Sequence, residues 1–231
     1  MGITIDDITV ADEPEAWRAA GFTVDEDGTC RAGHVRIRLA GRDAGKRIVS
    51  WSLRDLDPGA AAAVAADGAI DGLTTTVGTT EPPEPAAHPN GVELIDHLVL
   101  ATPDQQRTIT SFQRLGLEPR RTRETDQYGA PFLQTFFRTG EVIVELIGPA
   151  TPSGDGPAGF FGLAFTVADL DETVAFLGEG EGVGAPKDAV QPGRRIATMR
   201  HKTFGVSIAT ALMSAGPDAV AALDAAASER G

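Results

Sequence analysis

The chain has 231 residues, 42% of them hydrophobic, which is enough for one large or two small units with a real apolar core. Lys and Arg number 20 against 33 Asp and Glu, a formal charge of −13 that argues against a general nucleic-acid or anionic-membrane surface. Cys30 is the only cysteine, so no internal disulfide and no thiolate zinc cluster can form. The start, Met1-Gly2-Ile3-Thr4, has no basic stretch followed by an apolar run, and no window approaches about 18 uninterrupted apolar residues. These features lead us to expect a cytoplasmic protein with no membrane span.

Ile5 to Val10 reads as a strand, residues 16–20 as a short helix carrying Trp17, and Gly33 to Arg38 as a further strand. A second shortened unit is expected from Ile48 to Leu53, through an Ala-rich helix over 59–66, to a strand over 73–77. Residues 81–91, with Pro82, Pro83, Pro85 and Pro89, cannot hold a helix or donate a full ladder and read as a linker. After the linker a strand is predicted over 94–100, then a helix capped by Thr102 or Asp104 that buries Ile109, Phe112 and Leu115 and ends at Gly116. Strands follow over 117–124, 132–138 and 141–147, with a turn at Tyr128-Gly129-Ala130-Pro131. The pattern then repeats: a strand over 160–167, a helix opened by the capping box Asp169-Leu170-Asp171-Glu172, and strands near 188–191, 194–200 and 206–212. Residues 215–231, Ala-rich from Pro217, read as a terminal helix.

The order strand, helix, three strands therefore occurs twice over residues 92–214, and residues 1–80 read as compressed versions of it. Aligned on the strand starts and on Asp104 and Asp169, His97 matches Gly162 and Glu145 matches Thr210. Alternation places Ile95, His97 and Val99 on one face of their strand, with Asp96, Leu98 and Leu100 on the other. Ile143, Glu145 and Ile147 share a face in the same way. Both faces are apolar, as in a strand covered on both sides, so one face should line a concavity in which His97 and Glu145 are the polar groups. A buried carboxylate needs a partner, and for Glu145 the candidates are His97, an arginine, a metal or a ligand. Gly162, Ala164 and Thr166 are small and are expected to leave room for a bulky ligand or for side chains from neighbouring strands.

Paired βαβββ units with His in the first strand and Glu in the fourth resemble the vicinal oxygen chelate superfamily, which includes glyoxalase I, bleomycin-resistance proteins and extradiol dioxygenases. The resemblance implies an α+β fold. Tandem βαβββ modules would pair into an open curled sheet, a half-barrel, with helices on the outside. It also implies that a divalent metal (Zn, Fe, Ni or Mn), where present, is held by His97 and Glu145, with Glu145 as the catalytic group in isomerase or lyase chemistry. Two alternatives stand beside this. One is a metal-free, bleomycin-resistance-like protein that sequesters a ligand, with His97 and Glu145 hydrogen-bonded to each other. The other is an extradiol dioxygenase-like enzyme, for which the second-module His and Glu are missing at Gly162 and Thr210.

Five further residues are candidates for holding the small-molecule ligand. Arg194 and Arg195 follow a Pro-Gly turn and point to opposite faces of a strand, so one of them can reach the concavity and bind a carboxylate or phosphate bidentately. Gln134 and Phe136 share a face that can form a stacking wall, and Tyr128 sits in a loop near the expected mouth. The expected assembly is a monomer with an internal pseudo-dimer, or a homodimer.

Overall fold

The computed structural model describes residues 2–125 and 131–216. Tyr128 and the expected terminal helix from Pro217 lie outside the described residues. The first half runs β1 (Thr4–Val10), α1 (Pro14–Ala19), β2 (Thr29–Ala32), β3 (Val35–Leu39), β4 (Ile48–Arg54), α2 (Pro58–Asp67), β5 (Ala69–Ile70) and β6 (Leu73–Val77). The second half runs β7 (Val92–Ala101), α3 (Gln105–Gln113), β8 (Pro119–Thr125), β9 (Phe132–Thr139), β10 (Val142–Pro149), β11 (Gly159–Val167), α4 (Leu170–Leu177), β12 (Lys187–Asp188), β13 (Arg195–Met199) and β14 (Ala209–Ser214).

The protein is α+β, built from two open, curled, mixed sheets with few helices. The larger sheet has the order β12-β13-β14-β11-β7-β10-β9-β8. Each of its halves is a βαβββ module whose first and last strands lie side by side and parallel, β7 with β10 and β11 with β14. The two modules join through the antiparallel pair β7 and β11. The smaller sheet has the order β2-β3-β1-β4-β6-β5 and the same plan, with β1 parallel to β3, β4 parallel to β6, and β1 antiparallel to β4 at the centre. Its modules are each one strand short. The sequence pattern found β1, β3, β4 and β6 but not β2 or β5, which at four and two residues are too short to show an alternation.

The local signals act as expected in the second half. Asp104 accepts from Arg107 N at 3.0 Å and opens α3. Asp169 accepts from Asp171 N at 2.8 Å and Glu172 N at 3.0 Å and opens α4. Two boundaries differ. The strand expected near 188–191 is only Lys187–Asp188, and the last strand begins at Ala209 because His201–Phe204 forms a 3-10 turn closed by Gly205 at φ 83°.

One apolar cluster runs through both sheets. Trp17 packs edge-on to Phe165 with ring centres 6.4 Å apart, Phe22 lies 5.3 Å from the same ring, and Trp51 stands 5.9 Å from Phe160 and 6.2 Å from Phe112. Polar latches border this contact. Asp71 receives Arg107 Nε at 2.7 Å, and the fully buried Asp12 accepts from Ser207 N at 2.9 Å. Gly33 N donates to Glu93 O at 2.7 Å, and His34 N donates to Glu141 Oε1 at 2.6 Å. Gly33 has φ 59°, and a Cβ there would stand 2.3 Å from Glu141 Oε1, so this crossing requires glycine.

The stretch expected to be a linker is a strap bonded to the first sheet. Arg31 donates to Glu84 O at 2.8 Å, Arg54 to Thr80 O at 2.9 Å, and Thr23 Oγ1 to Ala87 O at 2.6 Å. His88 accepts from Thr23 N at 2.9 Å through Nδ1, while its Nε2 lies 3.0 Å from Arg31 O. Cys30 sits inside this half at 0% exposure, and burial, with the nearby Asp25 adding to it, drives its thiol pKa far up. Native protein should therefore leave a thiol-reactive dye unmodified, with one equivalent reacting only on unfolding; fast labelling of the native chain would show that β2 is not packed as described.

Candidate functional site

The site begins with an irregularity in β7. Across the β7–β11 pair, Ile95 faces Phe165 and His97 faces Ala164, so Asp96 is left without a cross-strand partner as a β-bulge. Strict alternation, which put Ile95 with His97 and Asp96 opposite them, is therefore broken at this point. Ile95, Leu98 and Leu100, each at 0% exposure, all face the apolar cluster. Asp96 and His97 fall together on the other, concave side.

Asp96 is 8% exposed and has three partners. Its Oδ1 lies 2.5 Å from His97 Nδ1, a close pair off the line of a linear hydrogen bond. Its Oδ2 accepts from Thr166 Oγ1 at 2.6 Å and from Arg194 Nη2. Arg194 is fixed in turn by donating from Nε to Ser214 O at 2.8 Å. Burial pushes the Asp96 carboxyl upward, but the close approach of His97 and the hydrogen bonds from Arg194 and Thr166 outweigh it and hold the group well below its ordinary 3.8. A depressed folded-state pKa gives stability that is present above the ordinary carboxylate range and is lost as pH falls through and below it. Acid unfolding should therefore be less steep in Asp96→Asn than in wild type below about pH 4; identical acid limbs would mean the carboxylate is not held as an anion.

Glu145 lies on β10, opposite Val99 of β7 and Phe136 of β9. It does not pair with His97, as the sequence had allowed; no hydrogen bond or ion pair joins the two among the described residues. Gln134 donates from Nε2 to Glu145 Oε1 at 2.5 Å, and Arg123 Nε donates to Gln134 Oε1 at 3.0 Å. Phe136 stands edge-on to the His97 ring with centres 6.3 Å apart. The concave face thus carries two separate polar groups, Asp96–His97–Arg194–Thr166 and Glu145–Gln134–Arg123, with Val99, Ile143 and Phe136 between them.

The two arginines of β13 and its preceding turn part company. Arg194 enters the concave face, whereas Arg195 points outward and pairs with Asp171 at the start of α4 at 2.8 Å. Tyr128 cannot be placed because it lies outside the described residues. The second module corrects the alignment by one residue. Ala211 pairs with Ala164 as Glu145 pairs with Val99, so Ala211 occupies the place matching Glu145. Thr210 is 3% exposed on the opposite face and donates to Ile208 O at 3.1 Å. Gly162 does not leave room for a ligand as expected, because a Cβ there would stand 2.2 Å from Ala209 O, in the backbone of β14.

This donor set does not make a metal centre of three protein ligands. Among the described residues no three His, Cys, Asp or Glu side chains gather in a way that would hold a metal ion. His97 and Glu145 stand on one half of the sheet, and the matching places on the other half are Gly162 and Ala211.

Asp96 is the residue of this site that strict alternation along β7 hides. A signal existed, because the first half repeats it. Ile5 faces Leu53 and Asp7 faces Ser52, which leaves Asp6 bulged in β1 just as Asp96 is in β7. Asp6, 2% exposed, accepts from Arg36 at 2.8 Å and from Thr80 of the strap at 2.7 Å. The repeated Ile-Asp-Asp and Ile-Asp-His marked the position.

Residues 96–198 match the model of the Glyoxalase/Bleomycin resistance protein/Dioxygenase superfamily. Over those residues the second half of the chain is similar to the proteins of the vicinal oxygen chelate superfamily. A xylose isomerase-like TIM barrel/4-hydroxyphenylpyruvate dioxygenase fusion protein superposes over 98% of this chain and 52% of its own, with TM-score 0.58 and 16% identity. That likeness shows a shared fold across both halves, and the chain spans about half of the fusion protein. Methylmalonyl-CoA epimerase from Mycobacterium tuberculosis aligns over 57% of this chain and 93% of its own, with TM-score 0.45 and 20% identity. No curated protein sequence matches the chain. Among the described residues no helix is long and apolar enough to cross a membrane.

Proposed function

We propose that the concave face of the larger sheet binds a small, partly apolar organic molecule and that His97 exchanges a proton with it, as an isomerase or lyase would. The close approach of Asp96 Oδ1 to His97 Nδ1, 2.5 Å, carries this reading. A carboxylate at Nδ1 keeps a proton on that nitrogen and leaves Nε2 with a lone pair, which is the form a general base needs. Arg194 and Thr166 hold the carboxylate, so the imidazole is oriented by a fixed group. Val99, Ile143 and Phe136 offer the apolar body of a ligand its contact surface, and Glu145, steadied by Gln134, is a second carboxylate within the same concavity. No step is assigned to a metal, because the donors opposite His97 and Glu145 are missing.

The test is deuterium uptake. Protein in heavy water is incubated with a panel of small aldehydes, ketones and oxo acids, and each is weighed by mass spectrometry. Wild type is expected to exchange a carbon-bound hydrogen of at least one member, and His97→Gln of none. Panel members that bind without exchanging in either protein would overturn the proton-transfer reading in favour of sequestration.

A further inference from the structure

The β8–β9 wall of the concavity carries positive charge, part of it without a partner among the described residues. Four of the 20 Lys and Arg lie on these two strands, Arg120, Arg121 and Arg123 on β8 and Arg138 on β9, in a chain of formal charge −13. Arg123 is spent on Gln134. Arg121 and Arg138 have no hydrogen-bonded or charged partner among the described residues. Arginines on an edge strand are a common guard against strand addition, and β8 is an edge. That explanation does not reach Arg138, which stands on β9, one strand further in.

The register says where these two groups stand. Phe137, 1% exposed, and the fully buried Thr135 face the apolar cluster, so Phe136 and Arg138 belong to the concave side. Arg138 faces Ile143, which faces His97, so the three lie in one row across neighbouring strands. Arg121 faces Phe136, which faces Glu145, in the next row. With strands about 4.8 Å apart, the backbones of Arg138 and His97 are roughly 10 Å from each other, with Ile143 between them. Arg121, Arg123, Arg138 and Arg194 stand on the concave face together with Asp96 and Glu145.

We infer that Arg138 and Arg121 form an anchor for a carboxylate, and that the ligand of this face is an organic acid whose apolar body lies over Ile143 and Phe136 with its far end at His97. The inference uses the ligand site proposed above but not the proton transfer. Two guanidiniums without partners among the described residues offer the paired N–H donors that a carboxylate accepts.

Calorimetric titration of the full chain with phenylacetate, phenylacetamide and phenyl phosphate tests it. Phenylacetate should bind and the uncharged amide should not. Arg138→Gln and Arg121→Gln should each weaken phenylacetate binding about tenfold, the worth of one charged hydrogen bond, and Arg138→Lys should recover part of the loss. Arg195→Gln removes the same charge from the outer face and should leave binding unchanged. Equal losses in Arg195→Gln and Arg138→Gln would reduce the effect to net charge and overturn the anchor. Binding of the phosphate alone, of the amide as well as the acid, or of no probe would also overturn it. His97→Gln should keep phenylacetate binding while losing deuterium exchange. Retained binding with no exchange even in wild type would sink the proton-transfer reading and leave the anchor standing.

Discussion

Asp96→Ala should lower the unfolding free energy by about 3–5 kcal/mol, the cost of leaving buried charged groups without their counterpart. Arg194 would keep only its bonds to Ser214 O and Thr166, and His97 would lose the group that fixes its tautomer. Urea denaturation gives the stability, and nitrogen chemical shifts of the imidazole give the protonation site. Asp96→Asn separates the two effects. It keeps the shape and a hydrogen-bonding oxygen, so it should recover part of the stability while leaving the His97 tautomer unfixed. Wild-type imidazole shifts in Asp96→Asn would show that the carboxylate does not orient the ring, and the proposed base would then have no support.

Gly162→Ala is the second large effect, about 2–4 kcal/mol of lost stability. The added carbon would stand 2.2 Å from Ala209 O, and the atom it strikes belongs to the backbone of β14, which cannot turn away as a side chain can. Relief requires β11 and β14 to separate along their parallel register. The same contact explains why this half of the sheet has no counterpart to His97: any side chain at 162 meets the neighbouring strand before it reaches the concavity. Gly162→His should therefore misfold rather than create a metal ligand. A neutral Gly162→Ala would mean that the two strands lie further apart, and it would reopen the question of a ligand from this side.

The module order was legible in the sequence because each strand–helix unit announces itself twice, by an apolar run and by an acidic cap such as Asp104 or Asp169. His97 and Glu145 stood out for the same reason, as polar groups on apolar strands. The pairing of His97 was not legible, since it depends on a bulge, and one extra residue in Ile95-Asp96-His97 leaves no mark in composition while reversing which neighbours share a face. Arg194 and Arg195 show a different limit. Their opposite directions follow from alternation, but which of them enters depends on α4 covering one side of β13 and supplying Asp171. Thr210 falls one residue away from the place matching Glu145 because Gly140 and Gly205 are followed by connections of different length, with β10 starting at Val142 and β14 at Ala209.

The continuity of the apolar cluster decides how the protein can be cut. Expressing residues 92–216 alone, the segment that carries the family signature, would bare Phe112, Phe160 and Phe165, which Trp17, Phe22 and Trp51 cover in the full chain. A fragment of that kind would expose a sticky aromatic surface and come out of solution. Proteolytic nicking within the strap, by contrast, would leave both pieces clasped together, because the Asp71–Arg107 and Asp12–Ser207 bonds and the shared aromatics do not pass through residues 81–87.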